Sequence, residues 1–393
     1  MKWNYLENKL MSLKIAYCIP SLYSVSGMEK TLTIKANYFA EVLNYKIIII
    51  LTDGKGREPA FSLSPKIEVI NLNLNYDKIW SYPFYIKVFA YALKQILFRR
   101  RLTAALKQIK PQITVSMLRR DINFITKIKD GSIKIGEIHF SKSKYRDLDS
   151  ADEKFSIKGL FAKLWMRQLI VNLKRLQTFV VLSYEDKEKW VELNNVSVIY
   201  NPIINIPAVQ SDCASKNVIA AGRFVRQKGY DMLLESWAIV ASRHPDWTLS
   251  IYGSGEKRSF QEIIDRLGIE KTCILYDAVQ NLNEKFTESS IFAFSSRYEG
   301  FGMVITEAMA CGIPPVAFAC QCGPRDIITH GKDGFLIEPE NTRELAEKIC
   351  TLIEDDQLRK SMGLKARERA ERFTLERVAK EWDALFKDAL KHS

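Results

Sequence analysis

Two glutamates flank a glycine turn in "SRYEGFGMVITEAMACGIPPVA", Ser296 to Ala317. Glu299 precedes a Phe-Gly step, and Glu307 follows eight residues later. The apolar run "IFAFSS" ahead of them reads as a buried strand. "MVITEAMACG" reads as a helix closed by Gly312 before Pro314. Glu299 then lies on the loop and Glu307 about one turn into the helix. Helical side chains lean toward the N-terminus, so both carboxylates can reach one crevice at the strand's carboxyl end. The amides of Phe301, Gly302 and Met303 open the helix, where unpaired N–H groups and the helix dipole favour an anion. Carboxylates repel phosphate but accept hydrogen bonds from hydroxyls. A ligand carrying phosphate and sugars together suits this set. Among 46 acidic residues such a spacing also arises by chance, so the pair gains weight only from its setting.

A second constellation is "AAGRFVRQKGYDMLLESW". Arg223 follows a strand and a glycine, and Lys228 comes five residues later, before a helical run. At the carboxyl edge of that strand the two cations can neutralise a departing diphosphate, although either alone could be an ordinary surface charge. A third is "PSLYSVSGMEKTL", where Gly27 would let a ligand approach the backbone at the start of the first helix. The fourth is His139, at the end of the strand-like "IKIGEIH". An imidazole there can hydrogen-bond a sugar or phosphate oxygen, or serve a purely structural role. No divalent-metal site is expected. "CQC" at 320–322 has no neighbouring Cys/His pair, and the "DLD" at 147–149 is a chance-level tripeptide.

The elements that must position these residues are legible as alternating β and α patterns. Thirteen short β-branched runs, from "LKIAYCI" to "GFLIEP", are continuously apolar instead of alternating, which predicts parallel strands covered on both faces. Segments such as Glu29–Leu43 and Asp231–Arg243 between them have helical spacing. The fold class that follows is α/β, with two doubly wound sheets. A chain of 393 residues exceeds one ordinary core. The polar, proline-bearing "YNPIINIPAVQSDCASKN" sets the boundary. The domains are read as 1–202 and 203–375, with a terminal helix over 376–393 that can pack back on the first domain.

Charge divides the same way. Residues 1–200 hold 33 Lys/Arg against 18 Asp/Glu, a net of +15, which leaves −3 of the formal +12 to the rest. A basic first half points to a polyanionic partner, either nucleic acid or an anionic membrane. Within it, "YPFYIKVFAYALKQILFRRRLTAALKQIK" mixes bulky apolar residues with cations. On a helix Lys87, Lys94 and Arg101 recur every seven residues as one basic stripe, with Arg99 and Arg100 beside it. Phe84, Phe89, Ile96 and Leu97 add apolar surface nearby. Two readings stand: an ordinary helix with one wet face, or an interfacial helix docking on an anionic leaflet. No RNA-binding or helix-turn-helix pattern is visible, so nucleic acid is not expected. No h-region precedes the first strand, translation can begin at Met1 or Met11, and no apolar run is long enough to span a bilayer. Seven cysteines without a CxxC pair read as buried thiols. A cytoplasmic protein, peripheral on the inner face of the membrane, is the expectation.

Taken together these residues resemble the retaining glycosyltransferases of family 4, most strongly from Val218 to Leu336. "AGRFVRQKGYDMLLESW" is similar to the family's G-R-x-x-x-x-K-G segment and "EGFGMVITEAMACGIPPVA" to its E-x7-E element. "SVIYNPI" and "GKDGFLIEP" match weaker landmarks. The resemblance implies the GT-B fold of two facing Rossmann-like domains and a nucleotide-sugar donor, with a UDP-sugar favoured over a GDP-sugar. It implies Arg223 and Lys228 as diphosphate ligands, Glu299 at the transferred sugar, the following amides on donor oxygens, and Glu307 on the ribose. His139 in "EIHFSK" resembles the family's first-domain histidine. Two departures stand out: Ser26 precedes Gly27 where paired glycines are usual, and Asp326 in "GPRDII" takes the place of a frequent Glu. The implied activity is metal-independent hexosyl or N-acetylhexosaminyl transfer to a glycan acceptor linked to polyprenyl diphosphate, as in bacterial surface-polysaccharide assembly. The alternatives are a GT-B sugar-nucleotide epimerase and a basic membrane- or nucleic-acid-binding protein without activity.

Overall fold

A computed structural model describes residues 12–54, 56–81, 83–142 and 157–392. The "DLD" tripeptide and both candidate starts, Met1 and Met11, lie outside these residues. The chain divides into two compact units: one of Met1–Val181, Trp190–Ile199 and Ala379–Ser393, the other of Leu182–Lys189 and Tyr200–Val378.

The first unit is built on strands β1 (Lys14–Ile19), β2 (Lys46–Leu51), β3 (Glu68–Asn71), β4 (Ile113–Ser116), β5 (Ile133–Glu137), β6 (Thr178–Val181) and β7 (Val196–Val198). They form one sheet in the order β3-β2-β1-β4-β5-β6-β7, parallel throughout. Its helices are α1 (Gly27–Glu41), α2 (Phe84–Ile109) and α3 (Ile157–Leu173). In β2 the run "KIIIIL" is buried at every position but the first, as a strand covered on both faces must be.

The second unit opens with helix α4 (Tyr184–Lys189) and continues with β8 (Asn217–Ala221), β9 (Thr248–Gly253), β10 (Cys273–Asp277), β11 (Ile291–Phe294), β12 (Pro315–Phe318) and β13 (Phe335–Ile337). The order is β10-β9-β8-β11-β12-β13, again parallel. Between them run α5 (Tyr230–Arg243), α6 (Arg258–Leu267), α7 (Leu282–Thr287), α8 (Met303–Ala310) and α9 (Pro324–Ile327). Helices α10 (Thr342–Glu354), α11 (Asp356–Ala370) and α12 (Leu375–Lys391) close the chain. Each of the thirteen strand-like runs contains a strand.

The C-terminal segment counted with the first unit packs there through aromatic side chains. Phe386 meets Phe39 edge-on at 5.7 Å between ring centroids, and the Lys35 ammonium sits 4.2 Å over the Trp382 ring. Such a cation over an indole face is attracted by the ring quadrupole.

In both sheets the chain doubles back beside the first strand, so a topological switch point lies between β1 and β4 and another between β8 and β11. The crevice outside the carboxyl ends of such strands is where open α/β sheets bind ligands. In the second unit those two ends lead directly into Gly222-Arg223 and into the Ser295–Glu299 loop.

Candidate functional site

The site of the second unit is assembled from two loops locked together at their backbones. Gly229 has φ +62°, and a Cβ there would stand 2.1 Å from the Ser295 carbonyl oxygen, so only glycine lets the Lys-Gly turn rest on the end of β11. Ser295 Oγ donates to the Lys228 carbonyl at 2.9 Å, and Arg297 N–H donates to the Gln227 carbonyl at 2.8 Å. Gln227 Nε2 returns a bond to the Tyr298 carbonyl at 2.9 Å. The clamp is completed by Arg297, whose guanidinium grips Asp231 through both nitrogens at 2.8 and 2.6 Å and also donates to the Arg226 carbonyl. This bidentate bond holds the Asp231 carboxyl below its ordinary range and raises Arg297. Neither Arg297 nor Asp231 was singled out from sequence. The available signal was an arginine directly after the strand, facing a helix-start aspartate in the other motif.

This clamp brings two of the expected residues, Lys228 and Glu299, into direct contact. Lys228 Nζ donates to Glu299 Oε1 at 2.7 Å, with both side chains mostly but not fully buried at 15% and 10% exposure. Sequence reading gave the two residues separate partners, the diphosphate and the sugar; without ligand they partner each other. An ammonium has three protons and a carboxylate two oxygens, so the bond leaves capacity on both for a ligand. Arg223 is exposed, and its guanidinium pairs with no described residue. Gly302, at φ +89°, turns the chain into α8, and a left-handed N-cap of this kind suits glycine. The amides of Phe301 to Met303 lie at that opening, while the Phe301 ring itself is buried against Tyr200 and Phe373 at 5.6 and 5.8 Å. Glu307 stands half-buried in the second turn of α8.

One further group was not anticipated. The Tyr230 hydroxyl is buried without a hydrogen-bond partner. Burial, reinforced by the nearby Glu299 charge, pushes its pKa far up, so it remains a neutral donor.

Asp326 has a local role. Its carboxylate accepts from the Tyr184 amide at 2.8 Å and from the Tyr200 hydroxyl at 3.3 Å, capping the short helix α4. Cys320 and Cys322 are buried free thiols. Burial raises both, Cys322 to about 12. Among the described residues, the one group with metal-ligand atoms within 4.8 Å of one another is His244, Cys350 and Glu354, none of them a motif residue named above.

In the first unit, Gly27 is the exposed first residue of α1, with φ outside the left-handed region, so no backbone freedom explains it. His139 is buried and bonded through Nε2 to Glu137 Oε1 at 3.0 Å. A carboxylate can only accept, so Nε2 carries the proton. Glu137 also receives the ammonium of Lys35, both side chains being 1% exposed. Burial alone would raise Glu137, but Lys35 and His139 overcome it and bring the carboxyl down to about 2. The sequence signal for this pairing was the i, i+2 spacing of Glu137 and His139, which puts both on one face of a strand.

The basic stripe on α2 requires correction. Lys94 donates to the carbonyls of Leu74 and Asn75, and Arg101 to those of Leu72 and Asn73, at 2.5 and 3.1 Å for the latter pair. These cations serve orphan loop carbonyls inside the first unit, because a helix laid along a loop presents its long donors to it. Lys87 is half-buried, while Arg99 and Arg100 are exposed. The Phe84 side chain lies outside the described residues. No helix among the described residues is long and apolar enough to cross a membrane.

Residues 206–369 match the family described as Glycosyl transferases group 1. An uncharacterized glycosyltransferase of Haemophilus influenzae is 32% identical over 211 residues, covering 52% of this chain and 60% of the relative. The N-acetylgalactosamine-N,N'-diacetylbacillosaminyl-diphospho-undecaprenol 4-alpha-N-acetylgalactosaminyltransferase of Campylobacter jejuni is 29% identical over 178 residues, 45% of this chain and 46% of that one. The chain thus spans about half to three fifths of these curated relatives. HepE of Anabaena in complex with UDP superposes with a TM-score of 0.71 over 96% of this chain and 100% of that one, at 19% identity. The fold class is GT-B, with two Rossmann-like domains, and the chain is similar to bacterial surface-polysaccharide glycosyltransferases.

Proposed function

We propose that this chain, a GT-B protein whose residues 206–369 match the group 1 glycosyl transferases, moves a sugar from a nucleoside diphosphate to a glycan hydroxyl in bacterial surface-polysaccharide synthesis. The observation that carries the reading is the Lys228–Glu299 pair, which joins the loops that follow the adjacent strands β8 and β11. Arg223 and Lys228 follow the carboxyl end of β8, and Glu299, the opening amides of α8 and Glu307 follow that of β11, its neighbour in the sheet. Cations and amides suit a diphosphate; the two carboxylates suit sugar and ribose hydroxyls.

In this reading Arg223 and Lys228 stabilise the charge that develops on the leaving diphosphate. Glu299 holds the transferred sugar and Glu307 the ribose. In this reading the protein supplies no nucleophile, and the leaving diphosphate guides the acceptor to the same face of the sugar, with retention. A divalent cation is then unnecessary, because the two side-chain cations supply the positive charge. UDP is the favoured nucleotide, by analogy with the UDP complex of HepE. The undecaprenol-linked substrate in the name of the Campylobacter relative supports a polyprenyl-diphosphate-linked acceptor, met at the inner face of an anionic membrane.

The test is a screen of UDP- and GDP-sugars by released nucleotide, first without and then with polyprenyl-diphosphate-linked acceptors, in EDTA and with added Mg²⁺. Nucleotide release that requires the acceptor and survives EDTA supports the reading. A sugar-nucleotide product formed without acceptor would establish the epimerase alternative, which the polysaccharide-enzyme similarities do not favour.

A further inference from the structure

The outer face of α2 is apolar where a helix on a soluble domain is ordinarily polar. Its inner face is accounted for: Phe98, Leu102 and Leu106 are at most 3% exposed in the first-unit core. The opposite face carries Ile86, Phe89, Leu93, Ile96 and Leu97, exposed by 55, 66, 51, 55 and 39%. Their spacing, i, i+3, i+7, i+10 and i+11, places all five within one stripe. A helix apolar on two opposite faces requires cover on both, and none of the described residues covers this one.

The charge beside the stripe identifies its occupant. Arg99 and Arg100 stand exposed at the end of the ridge, and Lys107 continues further along the helix. Lys94 and Arg101 are held on the loop carbonyls of Leu74–Asn75 and Leu72–Asn73, so the ridge between them and solvent stays unobstructed by their charge. A second copy of this chain fits poorly. Parallel packing of two ridges would bring Arg99 and Arg100 against their counterparts, and antiparallel packing would bury them on the other ridge's apolar residues, in both cases inside a half-chain of net +15. An anionic bilayer accommodates both features at once, with aliphatic and aromatic tips at the acyl boundary and guanidinium groups among the headgroup phosphates.

We infer that α2 lies in the plane of an anionic membrane, with Phe89, Leu93 and Ile96 inserted below the headgroups and Arg99 and Arg100 bound to lipid phosphate. This deepens the membrane part of the proposal above and rests on none of its transfer chemistry. It also changes that proposal: apolar insertion, and not the Lys87–Lys94–Arg101 stripe, is the main anchor.

The experiment uses the full chain with phosphatidylcholine vesicles, with and without phosphatidylglycerol. Wild type should sediment with the anionic vesicles, less with neutral ones. The triple variant Phe89→Ser, Leu93→Ser, Ile96→Ser should lose ~10-fold or more in partitioning. Arg99→Gln with Arg100→Gln should remove most of the preference for phosphatidylglycerol and most of the salt dependence. The indole introduced by Phe89→Trp should be quenched by brominated acyl chains. UDP affinity by calorimetry, measured on every variant, reports the second unit, so loss of vesicle binding with UDP affinity intact separates this inference from the donor-site reading. Wild type that stays in the supernatant, a serine variant that sediments as wild type does, or an unquenched indole in the Phe89→Trp variant would each overturn it. So would a wild-type dimer in ultracentrifugation that the serine variant dissolves.

Discussion

Two lysine–glutamate pairs in this molecule look alike on paper and differ in what they are for. Lys35 and Glu137, in the first unit, are each 1% exposed, and the carboxylate is further held by His139 Nε2. Lys228 and Glu299, in the second, retain 15% and 10% exposure at the end of a sheet, with an exposed arginine at the neighbouring strand end. A fully buried pair has already given up its hydration, and its members depend on each other for neutralisation. A pair at a crevice keeps access to water and can trade one partner for a ligand at modest cost. Burial, and not the bond itself, separates the structural pair from the one available for chemistry.

The comparison can be broken most directly at the buried pair. Glu137→Ala leaves the Lys35 ammonium without its counter-charge and should cost about 3–5 kcal/mol of stability in denaturant unfolding. Replacing both, Lys35→Met with Glu137→Leu, should recover most of that loss. A single variant that unfolds at the wild-type midpoint would refute the structural assignment. The pH dependence has a definite sign: the Glu137 carboxyl is lowered from 4.5 to about 2, so its contribution is present in full above pH 4.5 and is lost as pH falls toward 2.

The crevice pair should respond in the opposite way. Arg223→Ala and Lys228→Ala should each lower turnover ~10²-fold or more, about 2.7 kcal/mol of transition-state stabilisation, with little change in melting temperature. Turnover at the wild-type level in either variant would end the diphosphate assignment. The carboxylates then sharpen the division within the site. Glu299→Ala should chiefly lower kcat, whereas Glu307→Ala should chiefly weaken affinity for the free nucleoside diphosphate. Equal losses of nucleotide affinity in calorimetry would contradict that split.

A separate titration is expected at Asp121, in the first unit. Burial raises its carboxyl to about 6, against opposing hydrogen bonds from Ser116 and the backbone. The folded chain therefore holds a proton that the unfolded chain releases near 3.8, and stability should fall as pH rises from about 4 to 6. Asp121→Asn should flatten that part of the stability profile; an unchanged slope would show that another group titrates there.

Sequence alone determined the architecture and the two motif stretches. Apolar runs such as those of β2, β4, β11 and β12 are buried along nearly their whole length, as strands covered on both faces must be, whereas the edge strands β3 and β10 are largely exposed and depart from that expectation. Gly302 was likewise legible as a turn position, whereas Gly229 became one only through its positive φ and its close approach to the Ser295 carbonyl. Tertiary structure alone decided which charges partner each other. Arg297 closes on Asp231 across 66 positions, Lys228 on Glu299 across 71, and Lys35 on Glu137 across 102. It also turned Lys94 and Arg101 inward onto loop carbonyls and left the apolar ridge of α2 facing out, the reverse of the basic stripe their heptad spacing predicts. Periodicity fixes which residues share a face. Which way that face points depends on what the rest of the chain lays against it.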